Sequence, residues 1–190
     1  MKAGFDELLS GFESGSDRIL NTHVKKNTTT EINYMASRLA FERGMKVKAL
    51  TMIGHPTETY DDVMATWNFL DSIGKMAEET GQRWNFDVTI LTPYPGSPIY
   101  DRMVWNNGRF REEFPRVLGK GELYMKNVDF AKDTAPYKPA PGEEQVNIRT
   151  ETLSSQDLFD LRTRIDSDLR DRFKLQTYER KDIEHSMGQG

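Results

Sequence analysis

The chain has 190 residues, 36% hydrophobic and 29% charged, with a formal net charge of −4, which suits one ordinary domain around a single core. That balance gives no electrostatic footprint for nucleic acid or an anionic membrane, no apolar run approaches the roughly 18 to 20 residues that span a bilayer, and Met1 to Gly4 lacks the apolar core of a signal peptide, so a cytoplasmic protein is expected. The absence of cysteine excludes disulfides, a cysteine nucleophile and any cysteine-ligated iron–sulfur or zinc site made by these residues alone.

Glu7 to Phe12 reads as a short buried strand, after which Ser16 and Asp17 supply the capping type of residue that starts a helix. That helix is expected to break near Lys25 to Thr29. From Thr30 to Arg43 the apolar residues Ile32, Met35, Leu39 and Ala40 predict an amphipathic helix laid on a sheet by that face, with Gly44 as the stop. Val47 to Ile53 is aliphatic with little alternation, as expected of a parallel strand covered by helices. Gly54 ends it. Thr57 opens a long helix whose first turn carries Glu58, Asp61 and Asp62, and which runs to about Gly81 with Gly74 as a candidate break.

Trp84 to Leu91 is the third strand. Pro93, Pro95 and Pro98 then predict a rigid loop, and Pro98 to Val104 a short helix. Asn106, Asn107 and Gly108 form a turn signal that closes the third βα unit, which sets a boundary between residues 1–107 and a C-terminal extension at 108–190. Within the extension, Gly108 to Gly142 is expected to be irregular or hairpin-like, and Pro136 to Gly142 has the composition of a linker. Val146 to Thr150 is a candidate added strand. Ser154 begins a last helix with Leu158, Leu161, Ile165, Leu169 and Phe173 near helical spacing, and the polar tail beyond about Gln176 is expected to fray.

Three strands that each run into a polar, Gly/Pro-rich turn and a helix start define an α/β fold, in which ligands sit at the carboxyl ends of the strands. Glu13, Ser14 and Ser16 would lie at the first such end, where a carboxylate and hydroxyls can bond ribose hydroxyls or an amino group, or where Ser14 to Asp17 simply caps a helix. Lys25 and Lys26 come about one helix length later; a lysine pair is ordinarily a solvated surface. His55 is a lone loop histidine, to which no catalytic role is assigned. Gly54 and Pro56 shape a turn, and one reading of the proline loop from Thr92 to Pro98 is that it simply positions the short helix after it.

The segments Gly11-Phe12-Glu13-Ser14-Gly15-Ser16, Met52 to Glu58 and Leu91 to Pro98 together resemble the second half of the core of radical S-adenosylmethionine (SAM) enzymes. The resemblance covers most of residues 4–175 and implies the second half of a partial (βα)6 TIM-like barrel with a C-terminal α/irregular extension. It implies that Glu13, Ser14 and Ser16 contact the ribose or methionine part of SAM, and that Lys25 reaches the SAM carboxylate. Met52, Gly54 and Thr92 would border the adenine. No catalytic or metal-ligating residue is implied. The pieces around Leu123 to Phe130, Tyr137 and Lys138, and Leu153 to Leu158 are most similar to radical SAM proteins carrying a cobalamin-binding domain.

In that family a Cys-x-x-x-Cys-x-x-Cys loop binds the four-iron four-sulfur cluster in the first half of the barrel, and this chain has no counterpart. The resemblance therefore implies a fragment that is inactive alone, whose parent cleaves SAM reductively for radical chemistry such as methyl transfer, with cobalamin a further cofactor of that parent. Its partners would be SAM and the missing N-terminal barrel half or subunit. The alternative is a noncatalytic module that complements a separate cysteine-containing subunit or binds a protein partner through an open sheet edge. A weaker alternative, a βα protein binding a phosphorylated metabolite, lacks the expected Gly-rich loop.

Overall fold

The computed structural model describes residues 4–94, 97, 104–106, 109–113, 120–125, 146 and 148–176. Strands β1 (Glu7–Glu13), β2 (Lys46–Ile53) and β3 (Trp84–Ile90) form a parallel sheet in the order β1-β2-β3. Leu9 lies opposite Lys48, and Ile53 opposite Ile90. Parallel neighbours need crossover connections, here helices. A short helix α1 (Asp17–Ile19) runs into a π-turn at Leu20–Val24 and is followed by α2 (Thr30–Glu42), which links β1 to β2; α3 (Tyr60–Thr80) links β2 to β3. The expected break at Lys25 to Thr29 is there, and Gly74 does not interrupt α3.

Helix α4 (Ser155–Phe173) packs against β3 and α3. It buries Leu158, Leu161, Ile165 and Leu169, the face its spacing predicts. Both long helices, α3 and α4, open on a reciprocal capping box, Thr59 with Asp62 and Ser154 with Asp157. The α3 cap corrects the sequence reading, since Thr57 and Glu58 precede the helix. The core joins Phe12, Val47, Ala49, Ile53, Phe86 and Val88 from the strands to Val63, Phe69, Leu70 and Ile73 of α3 and to the α4 face. Phe12 meets Phe69 edge-on at 5.6 Å.

Three burial patterns differ from the sequence reading. Strand β1, read as buried, is the edge of its sheet and buries only Phe12, with Glu7 and Leu9 exposed. Strand β2 alternates strictly: Val47, Ala49, Thr51 and Ile53 are buried, while Lys46, Lys48, Leu50 and Met52 are half-buried. Helices therefore line one face, and the other carries the cross-strand ion pairs Glu7–Lys46 (3.0 Å) and Lys48–Asp87 (3.1 Å). Helix α2 is turned around relative to its apolar pattern. Asn33, Ser37, Ala40 and Phe41 are buried, whereas Ile32, Met35 and Leu39 face outward. The inward polar groups are satisfied, Asn33 by the Phe12 carbonyl at 3.5 Å and Ser37 by the Asn33 carbonyl at 3.0 Å, so that orientation leaves no polar group stranded.

A second, antiparallel sheet runs in the order β4 (Val104–Asn106), β5 (Arg109–Glu113), β6 (Lys120–Met125) and β7 (Ile148–Arg149). It supplies the hairpin and added strand expected after Gly108. The predicted helix at Pro98 to Val104 lies outside the described residues except for Val104, which is in a strand. The linker at Pro136 to Gly142 and the tail beyond Gln176 also lie outside them. No described helix is long and apolar enough to cross a membrane.

Candidate functional site

Because the strands are parallel, the turns after β1, β2 and β3 open at one end of the sheet. Strand β1 reaches that end through an irregularity between Gly11 and Glu13, where Glu13 adopts φ +65°. This left-handed backbone is uncommon for a residue with a side chain and marks the position for attention. The Lys26 ammonium donates to Glu13 Oε1 and to the Gly11 carbonyl, both at 2.6 Å. A Cβ on Gly11 would stand 2.5 Å from Glu13 Oε1, so the bare backbone there lets the carboxylate fold back over its own strand.

The next residues are held from α3. Ser14 is fully buried, with its hydroxyl 3.3 Å from that of Thr66, which also accepts from the Gly15 N–H at 2.9 Å. Ser16 caps α1 and donates to Asp62 Oδ1 at 2.7 Å. Arg18 completes the join: its guanidinium bonds both oxygens of Asp62, the Thr57 hydroxyl at 3.1 Å and the Thr57 carbonyl at 2.8 Å. Burial opposes a charge on Asp62, but the hydrogen bonds from Arg18, Ser16 and Thr59 outweigh it and hold the carboxyl at about 2. The loops after β1 and β2 are thus tied through one charged carboxylate.

Glu58 plays the opposite electrostatic part. Its Oε2 accepts the backbone N–H groups of Gly54 and, at 3.0 Å, His55, while Oε1 has no hydrogen-bond partner among the described residues. Burial pushes its carboxyl up to about 8 against those two bonds, so it is protonated at neutral pH. His55 is buried beside it. Burial first, and the neighbouring His23 second, lower the imidazole to about 3 despite a hydrogen bond with the Met52 backbone. His55 Nε2 has no hydrogen-bond partner among the described residues, which leaves Nδ1 toward Met52. The His23 ring stacks on His55 at 6.3 Å, bonds Thr57 Oγ1 at 2.8 Å and is lowered to about 4, chiefly by burial.

Of the positions picked from the sequence, Glu13 stands at the strand end on Lys26, while Lys25 is the exposed left-handed residue closing the π-turn. Ser14 and Ser16 face α3, and Gly54 (φ +91°) is packed beneath Ile148 and Leu158, so close that a Cβ would reach Ile148 Cδ1 at 2.9 Å. Met52 is half-buried, and Thr92 is exposed, bonding the Ile90 carbonyl at 3.3 Å. The sequence reading weighed Lys26 but preferred Lys25, and it missed Arg18, Thr66 and the separation of Glu58 from Asp62. Only the Thr59–Asp62 capping box had a local signal; the remainder depends on contacts between residues far apart in the chain. The site offers a carboxylate and an ammonium on an open rim above a base in which Arg18 pairs with Asp62 and the buried Glu58, His23 and His55 are uncharged at neutral pH. Among the described residues no group of three or more His, Asp or Glu side chains is placed to hold a metal ion.

No protein-family model matches the chain. It is 43% identical over 137 residues, 69% of its length, to a Methanocaldococcus jannaschii protein named "Putative methylthiotransferase", and covers 28% of that relative. It is 31% identical over 106 residues, 56% of its length, to a Pyrococcus horikoshii protein named "Uncharacterized methyltransferase", and covers 21% of it. The chain thus spans less than a third of either curated relative.

Proposed function

We propose that this chain supplies the SAM-binding half of a radical SAM barrel, and that the parent activity is a methyl or methylthio transfer. The observation that carries the reading is the Glu13–Lys26 pair at the carboxyl end of β1, on the same end of the sheet as Met52, Gly54 and Thr92. The names of the two relatives support the methyl-transfer class. In this reading Glu13 accepts hydrogen bonds from the amino group or ribose of SAM, and Lys26 turns from Glu13 to the SAM carboxylate. The turn at Thr92 borders the adenine through backbone groups, since Thr92 keeps its hydroxyl on Ile90, whereas Gly54, buried beneath Ile148 and Leu158 with its N–H on Glu58, shapes its turn without touching the ligand. The Arg18–Asp62 join holds the loops after β1 and β2 in register beneath them.

A four-iron cluster does not fit on these residues, which include no cysteine. Its ligands would come from polypeptide other than these 190 residues, and the bound cluster would supply the electron that cleaves SAM. Calorimetric titration of the chain with SAM tests the reading directly: saturable binding that Glu13→Ala weakens about tenfold is expected, and absence of binding, or binding indifferent to Glu13, overturns it.

A second reading is favoured by β1 standing at the edge of its sheet with Leu9 60% exposed. There the chain is a noncatalytic module that pairs with a cysteine-containing subunit. It predicts a stable complex with such a subunit and no SAM binding by the chain itself.

A further inference from the structure

Helix α2 presents an apolar seam to the outside. Ile32, Met35 and Leu39 are 56%, 46% and 47% exposed, opposite the buried Asn33, Ser37, Ala40 and Phe41. Their spacing of three and four residues draws one stripe along the helix, the pattern that packs helix on helix. Glu31 and Arg38 border it on the same edge, two turns apart. Both are exposed, and neither forms an ion pair with another described residue.

We propose that α2 is the interface between two copies of this chain, packed antiparallel about Met35. The stripe is self-complementary in that direction. Ile32 of one copy meets Leu39 of the other, Met35 meets its own symmetry mate, and Glu31 comes beside Arg38 twice across the two-fold axis. Parallel packing would give Glu31 no opposite charge, because the two-fold axis would then set the edges that carry Glu31 and Arg38 on opposite sides of the seam. The inverted orientation of α2 acquires a purpose on this account: its small and polar residues settle on the sheet and its large apolar residues serve the second copy. A seam of this length buries less than the roughly 800 Å² per partner of a standard interface, so the dimer dissociates on dilution. The inference is independent of the SAM reading.

Sedimentation velocity of the 190-residue chain over a wide dilution series tests it. A reversible monomer–dimer equilibrium is expected. Glu31→Arg and Arg38→Glu each set like charges together in both contacts and should weaken dimerisation by about tenfold, and the double exchange should restore it. Met35→Lys, outside the charge pair, should leave a monomer. All three positions are exposed, and the far-UV circular dichroism of each variant reads its fold directly. A chain that is monomeric at every concentration, a dimer indifferent to the single reversals, or a double variant that does not recover overturns the proposal.

Discussion

The Lys26 ammonium sits 2.6 Å from both Glu13 Oε1 and the Gly11 carbonyl oxygen, closing a loop of fifteen residues onto the end of β1. The pair is partly exposed, with side-chain exposures of 43% and 25%, so it contributes little to stability. Its consequence is positional: a cation and a carboxylate stand together at the strand end, each able to exchange the other for a ligand group. Lys26→Ala is therefore expected to reduce SAM affinity about tenfold in the calorimetric titration, while Lys25→Ala, whose side chain points to solvent, leaves it within about twofold. Equal effects of the two substitutions would remove Lys26 from the site.

Arg18 and Asp62 predict a different kind of effect. Asp62 is largely buried and accepts from Arg18, Ser16 and Thr59, so removing the guanidinium leaves a buried charge partly unsatisfied and takes the donor from the Thr57 carbonyl, leaving Thr57 its bond to His23. Arg18→Ala should lower the unfolding free energy by about 2 kcal/mol, read from urea denaturation. The exposed Arg43→Ala, which gives up one bond to the Leu39 carbonyl, should cost under about 0.5 kcal/mol. Similar costs for the two would show that the Arg18 join does not hold the loops.

Much of the fold is legible in the sequence because its signals are local. The strand β3 is bounded by polar turns, Gly44 stops α2, and the α4 leucines recur at helical spacing. The orientation of α2 was not legible. Its large apolar residues form the stronger stripe, but Asn33 and Ser37 find backbone acceptors once buried, and Phe41 supplies the apolar contact. The site divides the same way. Glu13 at a strand end is implied by the strand–turn pattern, whereas the choice of Lys26 over Lys25 rests on the left-handed backbone of Lys25 and Asn27 around it. An added strand within Val146 to Thr150 is legible, but its antiparallel pairing with β6 and the position of Ile148 over Gly54 are tertiary contacts that no local pattern reports.

Gly15 marks where the β1 turn meets α3. A Cβ there would stand 2.5 Å from Thr66 Cα and press on the Ala65 carbonyl oxygen, both backbone atoms that cannot swing aside. Gly15→Ala should destabilise the chain by about 2 to 3 kcal/mol in urea denaturation and loosen Ser14 and Ser16 from Thr66 and Asp62. Gly44→Ala is the matched control. It has φ +76° and nothing within 4 Å, so only the backbone preference is lost, a cost of about 1 kcal/mol.

The buried carboxyl of Glu58 gives the folded state a pH dependence opposite to that of the histidines beside it. With Glu58 at about 8 in place of 4.5, the unfolded chain releases its proton first, so stability from this group is complete below about 4.5 and is lost as pH rises toward 8. His55 at about 3 and His23 at about 4, both lowered from 6.5, contribute stability that is present above 6.5 and lost as pH falls through that range. Glu58→Gln keeps an oxygen for the Gly54 and His55 N–H groups and removes only the first slope. Thermal melts should show the variant gaining on the unsubstituted chain by more than about 1 kcal/mol between pH 4.5 and pH 8, with the acid-side loss unchanged. Parallel profiles for the two proteins would mean that Glu58 is ionised in the folded chain, and that its second oxygen has found a partner.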